Sequence, residues 1–202
     1  MEHCLFLQGD SQIGKSTLLA RNLKPYLQYT GGFFVQRLTE SGAPRGFCLC
    51  AVSDPLPELT VPLESAAGTV FMRHLPEGTC LFPEVFGRQG AALLSEAALK
   101  GKRLILLDEI GGIELLQPEF HRALYRVLES GMPCIGVIKS PRNKAGMESR
   151  IPLGKRYGLL YDTLAHDIVN RFGGRILTMT ETNCRETQDE AEQFLKTSVP
   201  AD

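Results

Sequence analysis

The chain has almost no surplus charge: its 202 residues carry 22 Lys and Arg against 23 Asp and Glu, a net of −1. No long-range field therefore draws it to nucleic acid or to an anionic membrane surface. No apolar run approaches the ~18 residues that a bilayer-crossing helix needs. The opening Met1-Glu2-His3-Cys4 has no basic stretch before the first apolar run, so no secretory signal and a cytoplasmic location are expected. The 6 cysteines form no C-x-x-C pair and the 4 histidines are scattered. That pattern disfavours a zinc site and points to buried free thiols in a reducing compartment. Internal repeats and low-complexity tracts are also missing. At this length, with 43% hydrophobic residues, one globular domain spanning 1–202 is expected.

What is present begins at residue 9. Gly9-Asp10-Ser11-Gln12-Ile13-Gly14-Lys15-Ser16-Thr17 fits G-x-x-x-x-G-K-[ST], the loop that cradles nucleotide phosphates. Its glycines allow backbone angles that a Cβ would forbid, so main-chain N–H groups can turn inward on a polyanion. The helix that follows adds the positive end of its dipole. Lys15 is placed to reach the β- and γ-phosphates, and the Ser16 hydroxyl is a hard oxygen suited to Mg²⁺. The context agrees. Cys4-Leu5-Phe6-Leu7 reads as a buried strand, and Leu18, Leu19, Leu23 and Leu27 mark one helix face over Ser16–Leu27, with Pro25 a blemish near its end.

A second acidic feature completes the pattern. Leu104-Ile105-Leu106-Leu107-Asp108-Glu109 is an apolar strand that ends in two acids, which would deliver carboxylates to the ligand-binding edge of an α/β sheet. Asp108 is expected to hold Mg²⁺ through water, opposite Ser16. Glu109, one residue on, is the candidate that orients and deprotonates an attacking water. Glu114 reads slightly better as a first-turn helix charge than as an acid supporting the site. Lys139, closing the apolar run Pro133–Lys139, is a candidate for charge stabilisation at the same edge.

Between these landmarks, Phe33–Leu38 and Gly46–Val52 flank a Gly/Pro turn and predict a hairpin. Residues 53–82 read as an antiparallel extension of it. Helices are expected over 87–100, 118–130, 162–172 and 186–195, and a last strand over Arg175–Thr180. The segment Ser140–Tyr161, with Arg142, Lys144, Arg150, Lys155 and Arg156, reads as a basic loop: either a lid over the phosphates or a solvated surface. Helices alternating with buried strands mean a mostly parallel sheet covered on both faces.

The adjacent Asp108-Glu109 resembles the P-loop division of the RecA and AAA-type ATPases. That likeness implies Pro133–Lys139 as an intervening strand and the order 5-1-4-3-2. More closely, Asp108-Glu109-Ile110-Gly111-Gly112-Ile113-Glu114-Leu115 is similar to the D-E-I-G-x-M-E-L signature of the small P-loop nucleoside-triphosphatase family, which has a human cancer-related member. The hairpin from Gly32-Phe33-Phe34 to Gly46-Phe47 and the ending Thr180-Glu181-Thr182-Asn183 resemble that family too. The likeness implies Mg²⁺-dependent hydrolysis of ATP, GTP and other nucleoside triphosphates, with site roles for Gly9 to Thr17, Asp108 and Glu109. Where that family carries an acidic pair and then an arginine, this chain has Gln36, Arg37 and Thr39. The N-K-x-D pattern that reads guanine in many GTPases is absent, which leaves base choice open, with Asn183 as the candidate base contact. Two alternatives stand beside hydrolysis: a small-molecule or nucleotide kinase of the same fold, and a nucleotide-dependent adaptor in cofactor assembly with a protein partner.

Overall fold

The computed structural model describes residues 3–199. The first strand, β1 (Cys4–Gln8), runs into the phosphate loop, and α1 spans Lys15–Leu23. The helix is shorter than its apolar face suggests. Pro25 has no N–H to continue the ladder and its ring crowds the carbonyl four residues back, so Lys24–Tyr29 tightens into a 3-10 turn. β2 (Thr30–Glu40) and β3 (Ala43–Ala51) form the expected hairpin, and β4 (Thr60–Pro62), β5 (Thr69–Leu75) and β6 (Gly78–Leu81) follow. After a π-helical turn come α2 (Ala91–Leu99), β7 (Leu104–Ile110), α3 (Pro118–Glu129) and β8 (Cys134–Ile138). The chain closes with α4 (Pro141–Glu148), α5 (Gly154–Asn170), β9 (Arg175–Thr178) and α6 (Cys184–Ser198).

All the described strands join one sheet, in the order β6-β5-β3-β2-β7-β8-β1-β9, with β4 beside β2. The run β9-β1-β8-β7-β2 is parallel throughout. Counted along the chain, those five strands stand in the order 5-1-4-3-2, so β8 does lie between the loop strand and the acid-tipped strand. The apolar run Leu104–Leu107 has no alternation because both faces are covered. Leu104 and Leu106 pack with α1 and α6, while Ile105 and Leu107 pack with α2, α3 and α5.

Two expectations need correction. The extension is not wholly antiparallel: β4 pairs parallel to β2, at Arg37–Thr39. It takes the place beside β2 that β7 leaves after Phe33, and so covers the part of the hairpin that rises beyond the parallel sheet. Ser140–Tyr161 is not a loop either. Ser140 caps α4 by accepting from the Asn143 N–H, and Pro141 occupies the first turn. Pro141 and Gly154 are helix-starting residues here, which their reputation as breakers hides. No described helix is long and apolar enough to cross a membrane.

Candidate active site

β1 is buried on both faces and ends at the sheet's carboxyl edge, so the loop after it is forced to reverse into α1 at once. Gly9 (φ +145°) could not carry a side chain: a Cβ there would lie 2.4 Å from the Met179 carbonyl oxygen. Gly14 (φ +96°) caps α1 in a left-handed conformation. Gln12 also sits at φ 67°, a cost on the order of 1 kcal/mol for a residue with a Cβ. The loop is therefore held in a specific, partly strained shape. The Lys15 ammonium lies inside its curve, donating to the carbonyls of Gly9 (3.1 Å) and Asp10 (2.6 Å). Burial lowers its pKa, against the pull of Glu109 and Asp108.

Asp108 comes up from β7 on the α1 side. Its carboxylate is buried (2% exposed) and accepts from the Ser16 hydroxyl at 2.8 Å and from the Val35 N–H at 3.3 Å. Both donors are neutral. Desolvation pushes its pKa up to about 6, and the Ser16 hydrogen bond only partly opposes this. A buried carboxylate beside a hydroxyl, with no cationic hydrogen-bond partner among the described residues, fits a divalent cation held by hard oxygens. The fold thus brings Ser16 and Asp108 together at 2.8 Å.

Glu109 faces the other side. The register between β7 and β8 slips between Asp108 and Ile110, which inserts Glu109 as an extra residue and re-aims it. Its carboxylate accepts from the Lys139 ammonium at 2.8 Å. Burial alone would raise the Glu109 pKa, but the charges of Lys139, Lys15 and Arg37 outweigh it and hold the carboxyl below its usual range. The same pairing lifts Lys139 above its ordinary value despite desolvation. Glu114, read from sequence as a first-turn helix charge, does stand in the first turn of a 3-10 helix, Ile113–Leu116, and is buried there (3% exposed). It folds back to accept from the Gly112 N–H at 2.7 Å, and burial raises its pKa while Lys139 opposes the shift. A carboxylate two positions after a Gly-Gly pair was the only sequence signal of that contact.

Other contacts had no sequence signal. Tyr157 and Tyr161 of α5 donate to the carbonyls of Gly111 (2.8 Å) and Lys139 (2.6 Å) and pin both strand ends. From α4, Asn143 donates to the Gly9 carbonyl (3.1 Å) and Arg142 pairs with Asp10 (3.1 Å). Gln36 is a framework residue: it is buried, donates to the Glu58 carbonyl and accepts from the Ala67 N–H. Asn183 donates to the Thr178 carbonyl and accepts from the Thr180 N–H, so its amide closes the turn after β9. That turn abuts the loop, since the Met179 N–H donates to the Gln8 carbonyl.

A strand–phosphate loop–helix unit, with an acid-tipped strand one place removed in a 5-1-4-3-2 sheet, defines a P-loop NTPase. The model of the NTPase family matches residues 4–157, and the chain belongs to that family. It is 30% identical over 144 residues to nucleoside-triphosphatase THEP1 of Thermotoga petrophila, covering 67% of this chain and 71% of the relative. Against the protein of that name from Thermococcus kodakarensis the identity is 28% over 161 residues, or 78% and 86% of the two chains. In fold it is similar to the solution structure of a human cancer-related nucleoside triphosphatase (TM-score 0.65, 20% identity, 98% and 99% coverage). The crystal structure of THEP1 from Aquifex aeolicus gives a TM-score of 0.64 at 16% identity, over 96% and 99% of the chains.

Proposed function

We propose that the chain hydrolyses nucleoside triphosphates to the diphosphate and phosphate, with Mg²⁺ at Ser16 and Asp108 and a water oriented by Glu109. The observation that carries this reading is the 2.8 Å contact between Ser16 and a buried Asp108, with a charged Glu109 next along the same strand. When bound, Mg²⁺ would neutralise charge across the β- and γ-phosphates.

The rest falls to the chain's own groups. The loop amides and Lys15 grip the polyphosphate, Lys15 exchanging its carbonyl partners for phosphate oxygens. Glu109 aligns the water and accepts its proton as the water oxygen bonds to phosphorus. The bond from phosphorus to the β,γ-bridging oxygen breaks, and the diphosphate leaves with that electron pair. Lys139, beside Glu109, meets the developing charge. The turn built by Asn183 would form the wall that the base faces.

Purified protein offered a panel of nucleoside triphosphates, with no added acceptor, should release free phosphate with Mg²⁺ and stop when a chelator is added. Transfer only to a second substrate would replace this reading with a kinase. Release undiminished by chelation would remove the metal from it.

A further inference from the structure

Asp10 is an acid in a loop built to grip a polyanion, and it faces a cation from the segment that reads as a basic loop. Arg142 Nη1 lies 3.1 and 3.3 Å from the two Asp10 carboxylate oxygens. The neighbouring Lys144 turns instead to Glu148 (3.5 Å) and Asp162 (3.7 Å). The placement of Arg142 is built into α4. Ser140 caps the helix, Pro141 sets its first turn, and Asn143 ties it to the Gly9 carbonyl. A helical side chain leans back over the turn N-terminal to its own Cα, which here is the carboxyl edge where the phosphate loop lies. The Arg142 side chain is 81% exposed and the Asp10 side chain 58%. Exposed pairs of this kind hold weakly, whereas a planar guanidinium binds phosphate oxygens as a fork.

We infer that Asp10 parks Arg142 beside the loop and that the terminal phosphate of a bound triphosphate takes it over, so that the pair discriminates triphosphate from diphosphate. This rests on the phosphate-loop reading above. Asp10 repels the polyanion until its own cation bridges the two, and a diphosphate has no γ-phosphate to complete the exchange. Arg142 thereby serves as a positioning and charge-stabilising group supplied by the chain itself.

The test is a calorimetric titration of the purified full chain with a nonhydrolysable triphosphate and with the matching diphosphate. It compares wild type, Arg142→Ala, Arg142→Lys, Asp10→Asn and the Asp10→Asn/Arg142→Ala double variant. Arg142→Ala should weaken triphosphate binding about tenfold and leave diphosphate binding within about twofold. Arg142→Lys should recover only part of the loss. Asp10→Asn should act in the opposite direction, tightening the triphosphate by roughly threefold through removal of a like charge. In the double variant the Asp10→Asn gain should persist while the Arg142 loss remains. A pair that merely staples α4 to the loop predicts something else. Both single variants would then move both nucleotides in the same direction, and that result overturns the handover. Phosphate release is read in parallel. Its absence in wild type would overturn hydrolysis alone, and the triphosphate-to-diphosphate ratio would still decide the role of Arg142.

Discussion

Asp108 and Glu109 are neighbours in one strand, yet they live in opposite electrostatic settings. On the α1 side, Asp108 is buried among neutral donors and its carboxyl is pushed up to about 6. On the α5 side, Glu109 meets the Lys139 ammonium at 2.8 Å and is held below the usual carboxylate range. The two acids share Lys15 and feel each other's charge, so what separates them is the immediate hydrogen-bond partner, neutral for Asp108 and cationic for Glu109. The difference suits two jobs. The first acid is left wanting a cation, and the second keeps its charge at neutral pH beside a lysine that can also face substrate.

Neutralising each acid in turn should separate them. Glu109→Gln has the largest expected effect: turnover falls by roughly 10²–10⁴-fold while triphosphate binding survives. Single-turnover phosphate release checks this, and an unchanged rate removes Glu109 from the mechanism. Asp108→Asn should also lower metal-dependent turnover, by less than Glu109→Gln does, but in chelator it should stabilise the fold by up to about 3 kcal/mol. The sign follows from the raised carboxyl. The protein loses stability as pH climbs from the unfolded value near 3.8 through the folded value of about 6, so at pH 7 the charge is a burden. Urea melts decide the matter, since a less stable Asp108→Asn would mean that the site supplies a compensating charge already.

On the other side the sign should reverse. Lys139→Met leaves Glu109 unpaired and should cost about 1 kcal/mol, a modest figure because the two side chains are 23% and 35% exposed and water screens them. Glu114→Gln is expected to be smallest, under about 1 kcal/mol, because the amide oxygen can still accept from the Gly112 N–H. A larger loss than for Lys139→Met would make Glu114, not Glu109, the principal partner of that lysine.

Much of this was legible in the amino-acid order. The loop, the strand before it and the acid-tipped strand stood out because short contiguous runs carry them. The position of β8 came from family likeness and agrees with the pairing Cys4↔Cys134 and Ile105↔Cys134. Other features stayed hidden for physical reasons. The three residues of β4 are too few to declare a direction. Ser140-Pro141 begins a helix, but Pro in a charged stretch reads as an interruption. Glu114 was legible as a first-turn acid and stands as one, but its burial and the return of its side chain to the Gly112 N–H are seen only in the fold.

The order of residues alone determined the phosphate-loop motif, because Gly9 to Thr17 carry its glycines, lysine and hydroxyl in one unbroken stretch. Tertiary structure alone decided the ion pairs around it. Lys139 reaches Glu109 from 30 residues away and Arg142 reaches Asp10 from 132. Coulomb attraction and desolvation depend on distance through space and on what excludes water, and neither is written in the spacing of letters along a chain.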